Sequence, residues 1–325
     1  MILAGDIGGT KAMLLLAALR RGRAEALFER RYQVASFPDF SAMLAHFLEE
    51  CRAQRGRGAR LAGACFGAAG PVSDGCVQMT NLPWRLDGAA IAAEFGIGRV
   101  RLVNDFEAAA SGIEALAPGD SALLQQGEPL ASGARVVIGA GTGLGVAYAL
   151  PQGKHYRVIA GEGGHAGFAP ADDEQSRLLR ALQRQFGRVS VEHVVSGPGL
   201  ERIHEFLRAS APPPRQASAP APGAAEISRR ALEEGDALAC RALDLFIACY
   251  GAVAGDHALT VTARGGVYIA GGIAARIFSR LAAGGFIAAF NAKGAHAQMT
   301  RKMPVRVVTT ERLGLLGAAL IAARL

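Results

Sequence analysis

The feature that most constrains the fold is a glycine turn set between two apolar runs, because it occurs twice in one chain. Ile2-Leu3-Ala4 leads into Gly5-Asp6-Ile7-Gly8-Gly9-Thr10, and a second apolar run opens at Ala12. Adjacent glycines permit a tight strand-to-strand turn, so this segment reads as a β-hairpin bent around Gly8-Gly9. Val136-Val137-Ile138, the turn Gly139 to Gly145 and the run Val146 to Leu150 repeat the plan, with a return at His155 to Ile159. The interval is far too long for a solenoid repeat. An internal duplication explains it better, with two related α/β lobes facing one another across a central cleft. The 325 residues exceed the usual single-domain range and agree with two lobes.

Strand and helix signals alternate between the two hairpins. Ser41 to Arg52 reads as an amphipathic helix and Leu61 to Phe66 as a buried strand. Asp87 to Phe95 reads as a helix capped by Asp87 and stopped by Gly96. A strand at Arg99 to Val103 then ends in Asn104-Asp105, at the carboxyl end where open α/β sheets place ligands. Later helices are expected at Asp173 to Phe186 and Leu200 to Leu207, and Ser190 is placed to cap a short turn carrying Glu192. Val267 to Ala270 and Val305 to Thr309 supply strands, and Leu313 to Ala323 a helix expected to pack back on the first lobe. Residues 209–225 hold five prolines among alanines and serines and read as a surface loop of the second lobe.

Composition removes several classes. Half the residues are hydrophobic and 19% are charged, enough apolar material for a sizeable core. No uninterrupted apolar run approaches the roughly 20 residues a bilayer requires, and the most apolar long stretch, Leu238 to Ala263, is broken by Arg241, Asp244, Asp256 and His257. Asp6 and the Arg20-Arg21 pair argue against a signal peptide at Ala12 to Leu19, so a cytoplasmic strand is expected there. Five dispersed cysteines without a CxxC or CxC pair support neither a disulfide framework nor a zinc knuckle. The net charge of +7 is spread along the chain, and Trp84 is the lone tryptophan. That pattern suits a solvated basic surface better than a nucleic-acid site, and no membrane contact is expected.

The glycine turns carry the chemistry. In the first, amides near Gly8, Gly9 and Thr10 can approach a phosphate, while Asp6 and Thr10 can hold Mg²⁺ and hydrogen-bond phosphate oxygens. In the second, Gly141, Thr142 and Gly143 have dinucleotide-like spacing, but an apolar strand follows where a Rossmann unit needs a helix. A second phosphate hairpin fits better. Gly271-Gly272 after the strand at Val267 is a third glycine turn, against which adenine could lie. Taken singly, each has a bland reading as an ordinary turn, and Asp105 alone also reads as a helix N-cap.

Together and in this order they match the actin, hexokinase and Hsp70 ATPase superfamily, and within it the chain closely resembles the bacterial glucokinases. The resemblance rests on Gly5 to Thr10, Met79-Thr80-Asn81 with Trp84, Asn104-Asp105-Phe106, Gly139 to Gly145 and Gly161-Glu162-Gly163-Gly164-His165. Ser190 to Glu192, Ser196-Gly197-Pro198-Gly199 and Ala270-Gly271-Gly272-Ile273 complete it, so that the blocks span nearly the whole chain. The resemblance implies a two-lobed, duplicated RNase H-like (actin-like ATPase) α/β fold. Residues 1–106 with 311–325 would form the smaller lobe and 107–310 the larger.

It further implies ATP-dependent phosphorylation of D-glucose at the 6-hydroxyl by a cytoplasmic homodimer. Asn81, Asn104, Asp105, Glu162, His165 and Glu192 would contact the sugar, and Asp105 would be the general base. Phosphoryl transfer needs mainly positioning and charge neutralisation, so one carboxylate at the nucleophile and Mg²⁺ at the phosphates suffice. Lys11 stands where many relatives have Asn, and Ala166-Gly167 replaces a more polar pair; neither removes a reacting group. No cysteine occurs between Cys76 and Cys240, so the cysteine cluster of zinc-containing sugar kinases is missing and His165 is expected to meet sugar. Another hexose or a polyphosphate donor would leave the same signature. A sugar-sensing regulator would need a DNA-binding helix-turn-helix ahead of the loop at Gly5.

Overall fold

The first hairpin forms as its glycines dictate. In this computed structural model, which describes residues 1–20, 23–55, 60–80, 82–209 and 221–325, β1 (Ile2–Ile7) pairs antiparallel with β2 (Lys11–Arg20). The Gly8 amide donates to the Lys11 carbonyl at 3.0 Å and closes the turn. Asn81 and most of the Pro/Ala-rich segment lie outside the described residues.

The chain divides into two compact units, Met1–Pro118 with Thr310–Leu325, and Gly119–Thr309. The first crossing thus falls after Pro118, where the sequence reading put it after Phe106. The cause is packing: α3 (Asp105–Gly112) lies so close to α12 (Leu313–Ala322) that a Cβ on Gly112 would stand 2.2 Å from the Leu313 carbonyl oxygen. Helix α3 therefore stays with the smaller unit.

The smaller unit's sheet has the order β3-β2-β1-β4-β8, with β3 at Arg23–Gln33, β4 at Gly63–Ala68 and β8 at Val100–Asn104. Strands β1, β4 and β8 run parallel, while β2 and β3 are antiparallel additions. Side chains alternate across β1 with the strand period of two. Leu3 and Ile7 pack with Phe40, Met43 and Phe47 of α1 (Phe40–Arg55), whereas Ile2 and Ala4 pack with Leu315, Ala318 and Ala319 of α12. Both faces of the sheet are thus covered. Three short strands, β5 (Val72–Ser73), β6 (Cys76–Gln78) and β7 (Arg85–Asp87), form a separate small sheet. Helix α2 (Gly88–Phe95) follows, capped by Asp87 and ended by Gly96 in the left-handed conformation.

The larger unit repeats this order. Its sheet runs β12-β11-β10-β13-β14-β9. Here β10 is Arg135–Ala140, β11 Leu144–Gln152, β12 His155–Gly161, β13 Gly266–Ala270 and β14 Val305–Val308. Strands β10, β13 and β14 are parallel and β11 and β12 antiparallel, as in the smaller unit; β9 (Ser121–Gln125) adds one antiparallel edge. The duplication read from two glycine turns extends through five strands of each sheet.

The remaining helices of this unit are α4 (Asp173–Phe186), α5 (Gly197–Ala209), α6 (Ala224–Arg229), α7 (Ala237–Val261), α8 (Gly272–Arg276), α9 (Phe278–Ala282), α10 (Gly285–Asn291) and α11 (Ala297–Arg301). The 25-residue α7 is long and apolar enough to cross a membrane, which qualifies the sequence expectation that no such stretch exists. Its apolarity has another use. Phe246, Tyr250, Val253 and Ala258 are buried in the core of this unit with β10 and β13.

Candidate active site

In the smaller unit, the candidate residues gather at the carboxyl ends of parallel strands. Asp6 is the next-to-last residue of β1, and Asn104 ends β8. Asn104 is the N-cap of α3: its Oδ1 accepts from the Phe106 amide at 2.9 Å, and its Nδ2 donates to the Gly70 carbonyl at 3.2 Å. The N-cap position thus falls to Asn104, while Asp105 Oδ1 shares the same Phe106 amide at 2.9 Å. Asp105 is the first helical residue, where the dipole of α3 favours a negative charge.

Asp6 is partly buried beside the amino end of α12, where a Cβ on Gly314 would lie 2.5 Å from its Oδ2. Burial, followed by the charge of Asp105, pushes the Asp6 carboxyl up to about 7. A carboxylate is an oxygen donor of the kind Mg²⁺ takes, with phosphate and water completing the shell, so Asp6 would fit the cation expected there. Among the described residues no cluster of three or more His, Cys, Asp or Glu forms a metal cage. A cation here would therefore draw its remaining ligands from substrate.

The two hairpin turns share one property that spacing alone did not reveal. In the first, the Gly8 amide is spent on Lys11, while the Gly9 and Thr10 amides have no hydrogen bond among the described residues. In the second, the Gly141 amide donates to the Gly143 carbonyl at 2.8 Å, and the Thr142 and Gly143 amides are likewise without one. Each turn thus presents a pair of adjacent N–H groups, the arrangement that binds phosphate oxygens.

In the larger unit, register brings the other candidates to one sheet edge. Gly139 of β10 pairs with Gly145 and Ala270, and Val146 pairs with Gly161, so the turns after β10, β12 and β13 lie together. Gly271 has φ of +89°, and a Cβ there would meet the Ala140 carbonyl at 2.7 Å, so only glycine suits the turn into α8. Gly272 faces open space. The Gly197 amide at the start of α5 donates to the Gly141 carbonyl at 2.8 Å and ties that helix to the second turn.

Glu162 and His165 stand on a 3-10 turn after β12, with side chains 78% and 58% exposed and 3.9 Å between Oε2 and Nε2. Both remain open to a ligand. Glu192 is different. Its Oε2 accepts from the Leu144 amide at 2.8 Å, and a Cβ on Gly143 would stand 2.5 Å from that same oxygen. Glu192 is half-buried and braces the second glycine turn from its own turn, which Ser190 caps.

Two supporting residues escaped sequence reasoning. The buried Tyr250 hydroxyl donates to the Ile138 carbonyl and accepts from the Ala140 amide, each at 3.2 Å, which fixes β10 just before its turn. His257 contacts the Tyr148 hydroxyl through Nδ1 at 2.7 Å, and its Cε1 lies 2.8 Å from where a Cβ on Gly163 would be. Both sit on α7, a predominantly apolar segment whose sequence does not show which distant residues its polar groups meet. Trp84 is structural, with its indole N–H donating to the Pro38 carbonyl at 2.9 Å.

Duplicated sheets, each ending in a turn built to hold phosphate, with a carboxylate at the end of a neighbouring strand, define a sugar kinase of the actin-like ATPase fold. The glucokinase family profile matches residues 3–325. Glucokinase of Synechocystis is 41% identical over 99% of this chain and 98% of its own length, and that of a Nostoc strain 39% identical over 100% and 99%. The crystal structure of glucokinase from an Antarctic psychrotroph superposes with a TM-score of 0.86 at 30% identity, covering 100% of this chain and 99% of that one. The chain belongs to the glucokinase family.

Proposed function

We propose that this chain transfers the γ-phosphoryl group of ATP to the 6-hydroxyl of D-glucose, with Asp105 as the base. The glucokinase match over residues 3–325 supports the reaction, and the observation that carries the chemistry is the pair of amides in each hairpin turn that have no partner among the described residues. Gly9 and Thr10 in the smaller unit, and Thr142 and Gly143 in the larger, bind phosphate oxygens through N–H groups that no carbonyl among the described residues claims. Asp105 accepts the hydroxyl proton as the oxygen attacks, and Asn104, anchored to Gly70 and α3, fixes its neighbour's backbone. Glu162, His165 and Glu192 accept from or donate to the sugar hydroxyls, together with Asn81. Gly271 and Gly272 leave bare backbone for the adenine. Asp6 would hold Mg²⁺ arriving with ATP, which when bound neutralises phosphate charge.

A coupled assay with purified protein, Mg²⁺, ATP and a panel of hexoses tests this reading. Glucose turnover at least tenfold above mannose and amino sugars is expected; preference for another hexose, or for polyphosphate over ATP, overturns the assignment. We also propose a cytoplasmic homodimer. Light scattering should give twice the 33.7 kDa chain mass at micromolar concentration, and a monomer refutes it.

A further inference from the structure

Helices α4 and α5 of the larger unit border a cavity of about 460 Å³ whose lining includes Arg177, Arg180, Arg184, Arg202, Glu205 and Phe206. Arg177, Arg180 and Arg184 are spaced three and four residues apart and so share one face of α4, spanning about 10 Å. Among the described residues, none of the four arginines pairs with a carboxylate. Arg180 Nε donates to the Ser176 carbonyl at 3.2 Å and Arg202 Nη1 to the His193 carbonyl at 3.1 Å. Glu205, the acid in the lining, instead faces Arg208 at 4.0 Å. Like charges at this spacing repel along a helix, a cost that a bound anion removes. Guanidinium forks match phosphate oxygens in pairs, and the volume suits a small metabolite.

Arg202 also belongs to a chain of contacts that ends at a proposed sugar residue. Its guanidinium lies over the Phe186 ring at 5.0 Å, and that ring stacks on His193 at 4.3 Å with an interplanar angle of 14°. The Nδ1 of His193 accepts from the Ser190 amide at 3.1 Å and closes the capping box of the turn that carries Glu192. The turn is also held by the Ser196 hydroxyl, which donates to the Glu192 carbonyl at 2.7 Å.

We propose that this groove binds a small anion bearing two or more phosphoryl groups, and that occupation draws Arg202 off the His193 carbonyl, loosens the Glu192 turn and weakens glucose binding. The coupling, though not the site, rests on the reading of Glu192 as a sugar contact. The effect is inhibitory and acts on affinity, because it works through the turn that carries Glu192, a residue assigned to sugar binding and not to the phosphoryl transfer.

Calorimetric titration of the full chain with tripolyphosphate, with the phosphate turns saturated by ADP, tests the site. One equivalent should bind, at least tenfold more weakly to Arg177→Ser/Arg184→Ser, a double variant whose kcat without the anion stays at the parent value. Equal affinity in parent and double variant, or equal heat from sodium chloride at matched ionic strength, overturns the groove. Tripolyphosphate should raise the glucose Kd at least threefold in the parent and leave it unchanged in the double variant. Binding in the groove without that shift overturns the coupling, whereas an unchanged glucose Kd in Glu192→Gln overturns the sugar-contact reading alone.

Discussion

Asn104 and Asp105 are adjacent, and the helix they begin gives them different work. Asn104 spends its side chain on Phe106 and Gly70, and the Phe106 amide is shared with Asp105 Oδ1 at 2.9 Å, so the Asp105 carboxylate is held at the first turn of the helix in the place proposed for the base. Asp105→Asn should therefore lower kcat by roughly a thousandfold while glucose affinity stays within about tenfold; near-normal steady-state turnover would remove Asp105 from the mechanism. Asp6 makes a prediction of opposite sign for stability. With its carboxyl raised from 3.8 to about 7, the folded chain retains a proton across that window which the unfolded chain has released. Stability must fall as pH rises from about 4 to about 7 and stay reduced above. In Mg²⁺-free buffer Asp6→Asn should then melt several degrees above the parent at pH 8 and converge with it near pH 4, while losing most phosphoryl transfer. A lower Tm than the parent at pH 8 would contradict the burial argument. Sequence spacing identified both carboxylates, but not their repulsion or the hold of Glu192 on Leu144, because those contacts join residues far apart in the chain.

Elements with local signals were legible. Asp87 caps α2 through its Oδ1, Gly96 ends it with φ of +63°, and α4 runs from Asp173 to Phe186 as its pattern implied. Strand β3 was missed because Arg23 to Gln33 mixes five charged residues into an edge strand with no clean alternation. Helix α7 was missed because its apolar residues reach well beyond one face, leaving only a narrow exposed stripe at Arg241, Asp244, Asp256 and Thr260 and so a weak amphipathic period. Its position is set by small residues: a Cβ on Gly251 would lie 2.2 Å from the Phe286 carbonyl oxygen of α10. Gly251→Ala gains about 1 kcal/mol of helix propensity, but pushing two backbones apart costs typically 1–3 kcal/mol and sometimes more. The clash is with backbone, which cannot rotate away, so overpacking should win and urea unfolding should show a net loss of about 1 kcal/mol or more. A stabilised variant would mean that α7 and α10 cross at a greater distance.

At the scale of the whole molecule, the glycine turns foretold the duplication well because a phosphate hairpin must be written into consecutive residues. The strands that complete each sheet are assembled from distant segments, and so the boundary after Pro118 was not legible. Net charge acts at this scale too. With 35 basic against 28 acidic residues, the chain carries +7, and a positive protein raises the local concentration of anionic substrates through a field that salt screens over about 10 Å at 0.1 M. Of the two substrates only MgATP is charged; glucose is neutral. Raising sodium chloride from about 20 to 200 mM should therefore increase the KM for MgATP by about two- to fivefold and leave the KM for glucose unchanged. Steady-state kinetics at fixed Mg²⁺ decides the matter. Equal increases in both constants would point to a general effect of salt on the fold, and no change in either would mean that the surplus charge lies where the nucleotide does not sense it.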